Sequence, residues 1–348
     1  VPFTIKENID CVGTATSNGV PALAEMLPAV DAPVVERMKA AGAIPIGRTN
    51  MPEMGLRLST DNPLRGRTRN PWHPTLTAGG SSGGDAAALA TGMTPFGLGN
   101  DIGGSLRNPA YCCGITSLKP TTGRIPHASC LPPEDGGMAI QAMLVEGPMA
   151  RSIGDLQLGL EILSGRDIRD PRSVDAPLSG PAPAARRAAL VTEIPGNPLP
   201  YATVAAIEQA GEILAGAGYT IEVAAPPELA RVHEPWGEVF ATDFEELVEL
   251  MAPILTPALT TLLGQLIQDF KPSVSNAVIH TERSRLTRQW SAFFSDYPVV
   301  IGPTWSRLPW QYDADLDPHT GAELLNDTMR FITPGNVLGF PSVALPMG

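Results

Sequence analysis

The stretch TAGGSSGGDAAALATGMTPFGLGNDIGGSLR, residues 77–107, contains two loops rich in glycine and serine. The first, at 79–84, holds two adjacent serines between pairs of glycines, and the second, at 101–107, holds one serine behind two glycines. Glycine pairs allow backbone conformations and close approaches that other residues do not. Upstream, Lys6 ends an apolar, strand-like segment at 2–6, which would present its ammonium group at the end of a rigid element. Loop-borne serines together with a lysine indicate nucleophilic acyl chemistry.

Three motifs of this chain occur in the order and spacing of one enzyme family. They are the Lys6 segment, the loop at 79–84 and the sequence DIGGSLRNPA at 101–110. The lysine lies 75 residues before the first serine of the loop, which lies 24 residues before the serine of the last motif. The chain resembles the amidase signature family, serine hydrolases that use a serine, a cis-serine and a lysine. The resemblance extends to about residue 165 and resumes at 339–346.

The family resemblance implies an α/β fold, in which a large, mixed and twisted sheet is covered by helices on both faces. All of 1–348 is expected to form one amidase signature catalytic domain, with a variable helical cap or lid at about 226–290. The chain opens inside the lysine motif and stops shortly after a strand-like run. We therefore expect N- and C-terminal portions of the family's domain to lie outside it.

Local sequence patterns agree with this class. They predict helices at 31–42 and 204–217 and short strands at 43–47 and 219–223. The first helix has an aspartate cap, an early proline and a terminal glycine. A further short helix is predicted from Asp85 to Thr91-Gly92, with its N-terminus facing the first serine loop. Helices that alternate with strands indicate a sheet covered by helices.

Two other stretches stand out for their composition. The proline-rich stretch 176–185 predicts a surface connector. Residues 250–268 carry no charge, and this stretch is long enough to cross a membrane, but it contains two prolines, three threonines and two glutamines. This composition favours a buried helix pair or an apolar lid over the substrate pocket, with a membrane-surface patch and a membrane span as alternatives.

The resemblance assigns a role to each motif residue. Ser105 is the nucleophile, and Ser81, joined to Gly80 by a cis peptide bond, relays its proton to Lys6, which enters the cycle neutral. The oxyanion of the reaction is bound by backbone N–H groups of the second loop, where side chains are nearly absent. The predicted oxyanion residues are Ile102, Gly103 and Gly104, together with the N–H of Ser105. The residues predicted to support the loops are Ser82, Asp101 and Arg107, with Arg107 paired to Asp101.

A catalytic lysine places a physical demand on its surroundings. Lysine titrates near pH 10.4, so a base that works near neutral pH needs its pKa lowered by about 3 units. Lys6 must therefore be buried without a tightly bound carboxylate, and the neighbouring Glu7 would point to the opposite face of a strand. We expect activity to rise with pH as Lys6 loses its proton.

The predicted function is that of an amidohydrolase, which cleaves carbon–nitrogen bonds other than peptide bonds in linear amides through an acyl-enzyme on Ser105. Substrate walls in this family come from variable stretches, here 127–146 and 234–269, and both carry apolar residues such as Met138 and Phe240. Aryl or alkyl amides of small to medium size are therefore favoured. Esters and carbamates (urethanes) are further expected substrates, because their carbonyl groups would present the same oxyanion.

Other interpretations of the serine loops are weaker. The first loop fits Gly-x-Ser-x-Gly, the nucleophile elbow of α/β-hydrolases, with Ser81 or Ser82 as nucleophile, but 70–75 makes a poor preceding strand. Neither loop continues into the Gly-Lys-Ser/Thr of a phosphate-binding loop. Two functional alternatives are the amidase subunit of a transfer-RNA-dependent amidotransferase complex and a catalytically inactive binding module. The first is disfavoured by Asp85, where such subunits have a small residue, and the second by the filled triad positions.

Composition limits the partners of the chain. The formal net charge of −12 and the pI of about 4.9 argue against nucleic acid and anionic membranes. The four cysteines have neither metal-binding nor dense disulfide spacing and are expected to be free thiols. The five histidines are scattered, so no metal site is predicted. We expect a cytoplasmic monomer or homodimer that acts on a small molecule without a cofactor.

Overall fold

The structure is a computed structural model that describes residues 1–131, 135–183 and 185–347. A mixed sheet of six strands forms the centre of the molecule. Two smaller sheets complete the strand set. The strands are β1 Pro2–Lys6, β2 Ile44–Thr49, β3 Asp61–Asn62, β4 Gly66–Arg67, β5 Phe96–Asp101, β6 Thr116–Lys119, β7 Val145–Ala150, β8 Arg187–Leu190, β9 Thr220–Val223, β10 Val299–Ile301 and β11 Ser342–Ala344.

Helices surround these sheets. They are α1 Pro33–Ala40, α2 Gly83–Ala90, α3 Arg107–Cys113, α4 Met138–Met143, α5 Ile153–Leu163, α6 Tyr201–Gly216, α7 His233–Met251, α8 Pro257–Asp269, α9 Asn276–Asp296, α10 Gly321–Met329 and α11 Pro334–Val337. Short 3-10 turns occupy Pro21–Leu23, Glu53–Gly55 and Ala314–Leu316. The α/β class with a large mixed sheet flanked by helices, predicted from the sequence, is confirmed.

The main sheet runs in the order β11-β6-β7-β5-β1-β2 and is mixed in direction. Strand β1 is parallel to β2 and β5, whereas β7 is antiparallel to both β5 and β6. Every residue of β5 and β7 is buried, so these strands form the centre of the sheet. Two glycines in β5 let other chain segments approach: a Cβ at Gly97 would lie 2.9 Å from Asp85 Oδ1, and one at Gly99 would lie 2.6 Å from Ser82 Oγ. The first serine loop therefore packs directly against β5.

Helix α1 lies inside the predicted span 31–42 and is followed by β2, close to the predicted strand at 43–47. The aspartate cap is wrong, because the N-cap position is Ala32 and no side chain caps the helix. Asp31 instead accepts a hydrogen bond from Val12 N at 2.7 Å and pairs with Lys39 at 2.6 Å. A lysine on the same helix and a backbone N–H outside it therefore compete successfully for this carboxylate.

The predicted helix at 204–217 and strand at 219–223 correspond to α6 and β9. Strand β9 does not join the main sheet. It lies in a second sheet, ordered β10-β8-β9, in which all strands are parallel. The predicted connector at 176–185 has neither helix nor strand in its described part, and residue 184 lies outside the described residues.

Three long helices, α7, α8 and α9, form what we call the helical cap. The uncharged stretch at 250–268 spans the end of α7, a turn and most of α8, so a buried helix pair is the arrangement that the structure shows. One face of α8 is fully inside the protein, with Leu259, Leu262, Leu263, Leu266 and Ile267 buried. No helix in the described part of the chain has the length and apolarity needed to cross a membrane. The role of this segment as a lid stays a prediction.

The cysteines are free thiols, as predicted. Cys11, Cys112 and Cys113 are buried, and Cys130 is partly exposed. Burial raises the pKa of the Cys113 thiol to about 12, which keeps it in its unreactive protonated form. Across 1–131, 135–183 and 185–347, no group of three histidine, cysteine, aspartate or glutamate side chains is arranged to hold a metal ion.

Candidate active site

Lys6 ends β1, which lies in the main sheet between β5 and the edge strand β2, and is completely buried. Its Nζ lies 2.6 Å from Ser81 Oγ and 2.6 Å from Oδ1 of Asn100, near the end of the neighbouring strand β5. Burial lowers the pKa of Lys6 from 10.5 to about 8, against the charges of Glu146, Asp85 and Asp101, which raise it. The lowered pKa favours the neutral amine that a proton acceptor requires.

Carboxylates near Lys6 in the sequence have other partners. Glu7 binds Arg65 at 2.9 Å, and Asp10 accepts hydrogen bonds from Thr16 and Ser129, both at 2.8 Å. No carboxylate of the described residues forms an ion pair with Lys6 within 4.0 Å. The absence of a direct counter-ion leaves burial as the dominant influence on this amine.

The first serine loop is compact and buried. The peptide bond between Gly80 and Ser81 is cis, as the resemblance implies. A Cβ at Gly79 would lie 2.6 Å from Pro109 Cα, and one at Gly80 would lie 2.7 Å from the Arg57 carbonyl oxygen. Only glycine fits at these two positions, so the loop is held between two backbone segments.

Helix α2 follows this loop and confirms the predicted short helix, with Thr91 at its C-cap. Its N-terminus adjoins Ser82, so the partial positive charge of the helix end lies beside the serines. Asp85 in the first turn accepts hydrogen bonds from Thr4 Oγ1 at 2.9 Å and Thr49 Oγ1 at 2.6 Å. Burial raises the pKa of Asp85 to about 6. These bonds attach α2 to β1 and β2.

The second serine loop begins where β5 ends. Ser105 is 5% exposed, and its carbonyl oxygen accepts a hydrogen bond from Ser82 N at 3.1 Å, which joins the two loops. The Ser105 hydroxyl has no hydrogen-bond partner among the residues that the structure describes. The structure therefore brings the lysine, both loops and all three serines together, with the hydroxyl of Ser105 uncommitted.

Asp101 and Arg107 form the predicted pair. Arg107 Nε lies 3.0 Å from Asp101 Oδ2 and Nη2 lies 3.0 Å from Oδ1, and both side chains are buried. The Arg107 guanidinium holds the pKa of Asp101 well below its usual range, against the effect of burial. Asn336, on α11, donates to Asp101 Oδ1 at 2.8 Å and accepts from Arg107 at 2.6 Å. The far end of the chain thus supports the second loop.

One predicted oxyanion donor is committed elsewhere. The Gly104 N–H donates to Asp101 Oδ1 at 2.6 Å, and the Leu106 N–H donates to Oδ2 at 3.1 Å. Gly104 therefore does not fit the predicted role in this arrangement, because its N–H already has a charged acceptor. In the described part of the chain, the N–H groups of Ile102, Gly103 and Ser105 have no hydrogen-bond partner.

Three residues that touch this centre carry no recognised sequence motif. They are Asn100, which binds Lys6, Asn336, which binds the Asp101–Arg107 pair, and Trp236 on α7, whose Nε1 donates to the Ile102 carbonyl oxygen at 2.8 Å. The position of Asn100, one residue before the aspartate of the second motif, is the only signal that would have drawn attention to any of them.

A cavity of about 380 Å³ lies beside the predicted wall 127–146, of which residues 132–134 lie outside the described residues. Its lining includes the charged side chains of Asp170 and Arg169 and the imidazole of His127, and none of the predicted triad residues. His127 Nδ1 lies 2.8 Å from Glu146, the carboxylate with the largest effect on Lys6. This wall therefore contacts the carboxylate of Glu146, whose charge acts on Lys6. The cavity itself is not the reaction site.

A buried lysine, two serine loops and a supporting ion pair thus meet at one site. The family model of the amidases matches residues 1–348 of this chain. The chain belongs to the amidase family. It is an amidohydrolase, a hydrolase that acts on carbon–nitrogen bonds of non-peptide amides.

Relatives of this amidase include enzymes of different specificity. An indoleacetamide hydrolase of Bradyrhizobium diazoefficiens is 38% identical, over 100% of this chain and 67% of its own length. One subunit of the glutamyl-tRNA(Gln) amidotransferase of Deinococcus radiodurans is 37% identical, over 66% of this chain and 47% of its own length. Among solved structures, a bacterial aryl acylamidase superposes with a TM-score of 0.82 and 25% identity, covering 100% of this chain and 76% of the acylamidase.

Proposed function

We propose that this amidase works through a covalent acyl-enzyme on Ser105, with Ser81 and Lys6 as its proton relay. The observation that carries the proposal is the 2.6 Å contact between Lys6 Nζ and Ser81 Oγ. A buried lysine with a pKa of about 8 is partly neutral near pH 7 and largely neutral above pH 8, so it can accept a proton through this contact. The unpaired hydroxyl of Ser105 is then the group free to attack.

In the acylation step, Lys6 takes the proton of Ser81 while Ser81 takes that of Ser105, whose oxygen attacks the amide carbonyl carbon. The negative charge that develops on the carbonyl oxygen is received by the unpartnered N–H groups of Ile102 and Gly103. Collapse of this intermediate breaks the carbon–nitrogen bond, and the amine leaves with the proton returned from Lys6 through Ser81. Water then attacks the acyl carbon and gives a proton to the same relay. The bond between this carbon and Ser105 Oγ breaks, Ser105 takes the proton back through Ser81, and the carboxylic acid leaves.

For the substrate, we propose an uncharged aryl or alkyl amide of small to medium size, with arylacetamides first. Apolar side chains lie against the second loop beside the polar Asn108: Trp236 is next to Gly103, and Ile332 is next to Gly104. An indoleacetamide hydrolase and an aryl acylamidase among the similar proteins support this choice. Esters and aryl carbamates present the same carbonyl geometry and are proposed as secondary substrates.

The alternative function is that of one subunit of an amidotransferase, for which the similarity to the Deinococcus radiodurans protein speaks. It is the weaker candidate, because that similarity covers a smaller share of this chain than the similarity to the hydrolase. A net charge of −12 also gives transfer RNA no electrostatic attraction.

An activity panel tests the proposal. Purified protein is given an arylacetamide, an anilide, an aryl ester and an aryl carbamate, in parallel with Ser105→Ala. We expect hydrolysis of the arylacetamide and anilide, with loss of activity in the variant. Activity that survives in Ser105→Ala would overturn the nucleophile. If the wild type hydrolyses none of the four substrates, the amidotransferase alternative gains support, and co-purification of further subunits would decide it.

A further inference from the structure

Helix α7 of the cap lies directly over the second serine loop. Trp236 is 5% exposed, and its only polar atom, Nε1, donates to the Ile102 carbonyl oxygen at 2.8 Å. Its ring lies so close to the loop that a Cβ at Gly103 would be 2.7 Å from Trp236 Cζ2. The indole thus contacts the Ile102–Gly103 peptide at both of its residues.

This peptide contains one of the proposed oxyanion donors. The Ile102 C=O and the Gly103 N–H belong to the same planar peptide group, which is trans. In a trans peptide, the C=O and N–H bonds point in opposite directions. A hydrogen bond that fixes the carbonyl toward Trp236 therefore fixes the Gly103 N–H away from the indole, where it has no partner among the described residues. The same bond also polarises the peptide and makes its N–H a better donor.

The next peptides of the turn are held from another side. Asp101 accepts hydrogen bonds from the N–H groups of Gly104 and Leu106. These two peptides are therefore held at their nitrogen, whereas the Ile102–Gly103 peptide is held at its oxygen. Without the indole bond, the Ile102–Gly103 peptide would be the unheld segment between the end of strand β5 and the Gly104 N–H that Asp101 holds. Rotation of this peptide changes ψ of Ile102 and φ of Gly103, and glycine sets only a small barrier to the change in φ, so an external hydrogen bond has a geometric effect here.

Trp236 is itself held rigidly. Its ring stacks between His233, with ring centres 5.7 Å apart, and Phe240, with ring centres 5.4 Å apart. Phe270 contacts it edge to face at 6.3 Å. Because rings on three sides surround the indole, its N–H has a defined direction before any substrate binds.

We propose that Trp236 is a positioning residue that aims the Gly103 N–H at the oxyanion, and through which the cap contributes to the rate of the reaction. The inference rests on the proposed function for its catalytic meaning. Trp236 does not touch the reacting atoms. When the Trp236 indole is lost, the Gly103 N–H is still present but its direction is no longer fixed.

The test compares two matched substitutions in the cap. Trp236→Phe keeps an aromatic ring and removes the N–H. Trp290→Phe does the same in α9, where Trp290 is 6% exposed and its Nε1 donates to the Pro227 carbonyl oxygen at 3.0 Å, outside the serine loops. Both variants lose one buried indole–carbonyl hydrogen bond, so a general loss of stability affects them alike.

Complete loss of an oxyanion donor costs roughly 100- to 1000-fold in rate. We expect misdirection of one donor in Trp236→Phe to lower kcat by about 10- to 100-fold, with KM changed less than about threefold. The affinity for a boronic acid that mimics the tetrahedral oxyanion should fall by the same factor as kcat. Trp290→Phe should keep kcat and this affinity. Equal kcat values in the two variants, or a rise in KM alone in Trp236→Phe, would overturn the inference.

A measurement without turnover separates this inference from the proposed function. Hydrogen exchange of the Gly103 amide, assigned in a ¹⁵N-glycine spectrum by comparison with Gly103→Ala, should be faster in Trp236→Phe than in Trp290→Phe. Equal exchange in the two variants would contradict the inference even in an active enzyme. An inactive wild type would refute the proposed function and leave this readout intact. If Trp236→Phe does not fold, benzothienylalanine at 236 removes the N–H while retaining the shape of the indole.

Discussion

The serine-lysine centre and the helical cap are held together by different forces. In the centre, short hydrogen bonds between buried polar groups dominate, such as Lys6 to Ser81 and Arg107 to Asp101. In the cap, packed apolar side chains dominate, such as Phe240 and Phe244, whose rings stack at 4.3 Å. Hydrogen bonds require direction, whereas apolar packing requires mainly volume. The centre should therefore tolerate almost no substitution, and the cap should tolerate many and carry the differences in substrate.

The largest effect is expected for removal of the buried amine of the centre. Lys6→Met should lower kcat by roughly 1000-fold, because it removes the proposed proton acceptor while retaining an apolar chain of similar length. Initial rates on the arylacetamide measure this.

Lys119 provides the matched control for Lys6. It is also fully buried, and burial followed by the charge of Arg107 lowers its pKa to about 7. Among the described residues, however, its Nζ donates only to the Pro120 carbonyl oxygen, at 2.8 Å. Lys119→Met should keep kcat within about tenfold of wild type. Equal losses in the two variants would show that any buried lysine stabilises this enzyme and would remove the special role of Lys6.

A glycine substitution in each region sharpens the comparison further. Gly103→Ala places a Cβ 2.7 Å from Trp236 and should lower kcat by about 100-fold by displacing the oxyanion turn. Gly264→Ala in α8 meets no atom within 4 Å and should leave kcat unchanged, while raising the free energy of unfolding by about 0.5 to 1 kcal/mol. Steady-state rates measure kcat of both variants, and urea unfolding measures their free energies of unfolding. A fully active Gly103→Ala would show that the turn adapts to a side chain.

The pH dependence of the centre follows from the lowered pKa of Lys6. Because the proposed relay needs the neutral amine, kcat/KM should rise about tenfold per pH unit below pH 8 and level off above it. The charge of Glu146 raises the pKa of Lys6, so Glu146→Gln should move the midpoint to lower pH. A pH–rate profile of each protein measures the midpoint, and a shift to higher pH would contradict the electrostatic role of Glu146.

The smallest effect is expected at Thr256, where the start of α8 contacts Glu53. Glu53, near the serine loop, accepts hydrogen bonds from Thr256 N at 2.9 Å and Thr256 Oγ1 at 2.6 Å at the start of α8. Thr256→Val removes the second bond and should lower the free energy of unfolding by about 1.5 kcal/mol, with kcat within a factor of two. In the control Thr260→Val, the lost hydroxyl binds only carbonyls of its own helix, and a loss below about 0.5 kcal/mol is expected. If urea unfolding gives both variants the same loss in free energy of unfolding, the bond between Thr256 and Glu53 does not stabilise the contact.

The local motifs made much of the centre predictable from sequence. The strand ending at Lys6, the helix after the first serine loop and the Arg107–Asp101 pair all involve short segments whose residues determine their own geometry. The hydrogen bond from the Gly104 N–H to Asp101 was not predictable, because it depends on the direction in which the Asp101 carboxylate points. Asn336 and Trp236 were missed because each reaches the loop from more than 100 residues away, and no spacing rule encodes such contacts.

The main sheet followed from the family resemblance, whereas the second sheet did not. Strand β8 has the sequence Arg-Ala-Ala-Leu, whose residues favour helix over strand. It becomes a strand because β9 and β10 pair with it on either side, and β10 lies more than 100 residues further along the chain. Tertiary pairing thus overrides local preference at this position.

The contact between Asn336 and Arg107 joins residues 229 positions apart and has a consequence for synthesis of the protein. Ribosomes add roughly 5 to 20 residues per second, so a nascent chain carries both serine loops for about 10 to 50 s before Asn336 is made. During that time the Asp101–Arg107 pair lacks its amide partner. A chain truncated before α11 would retain Lys6 and both serine loops and would emerge from the ribosome without the support that Asn336 gives the second loop.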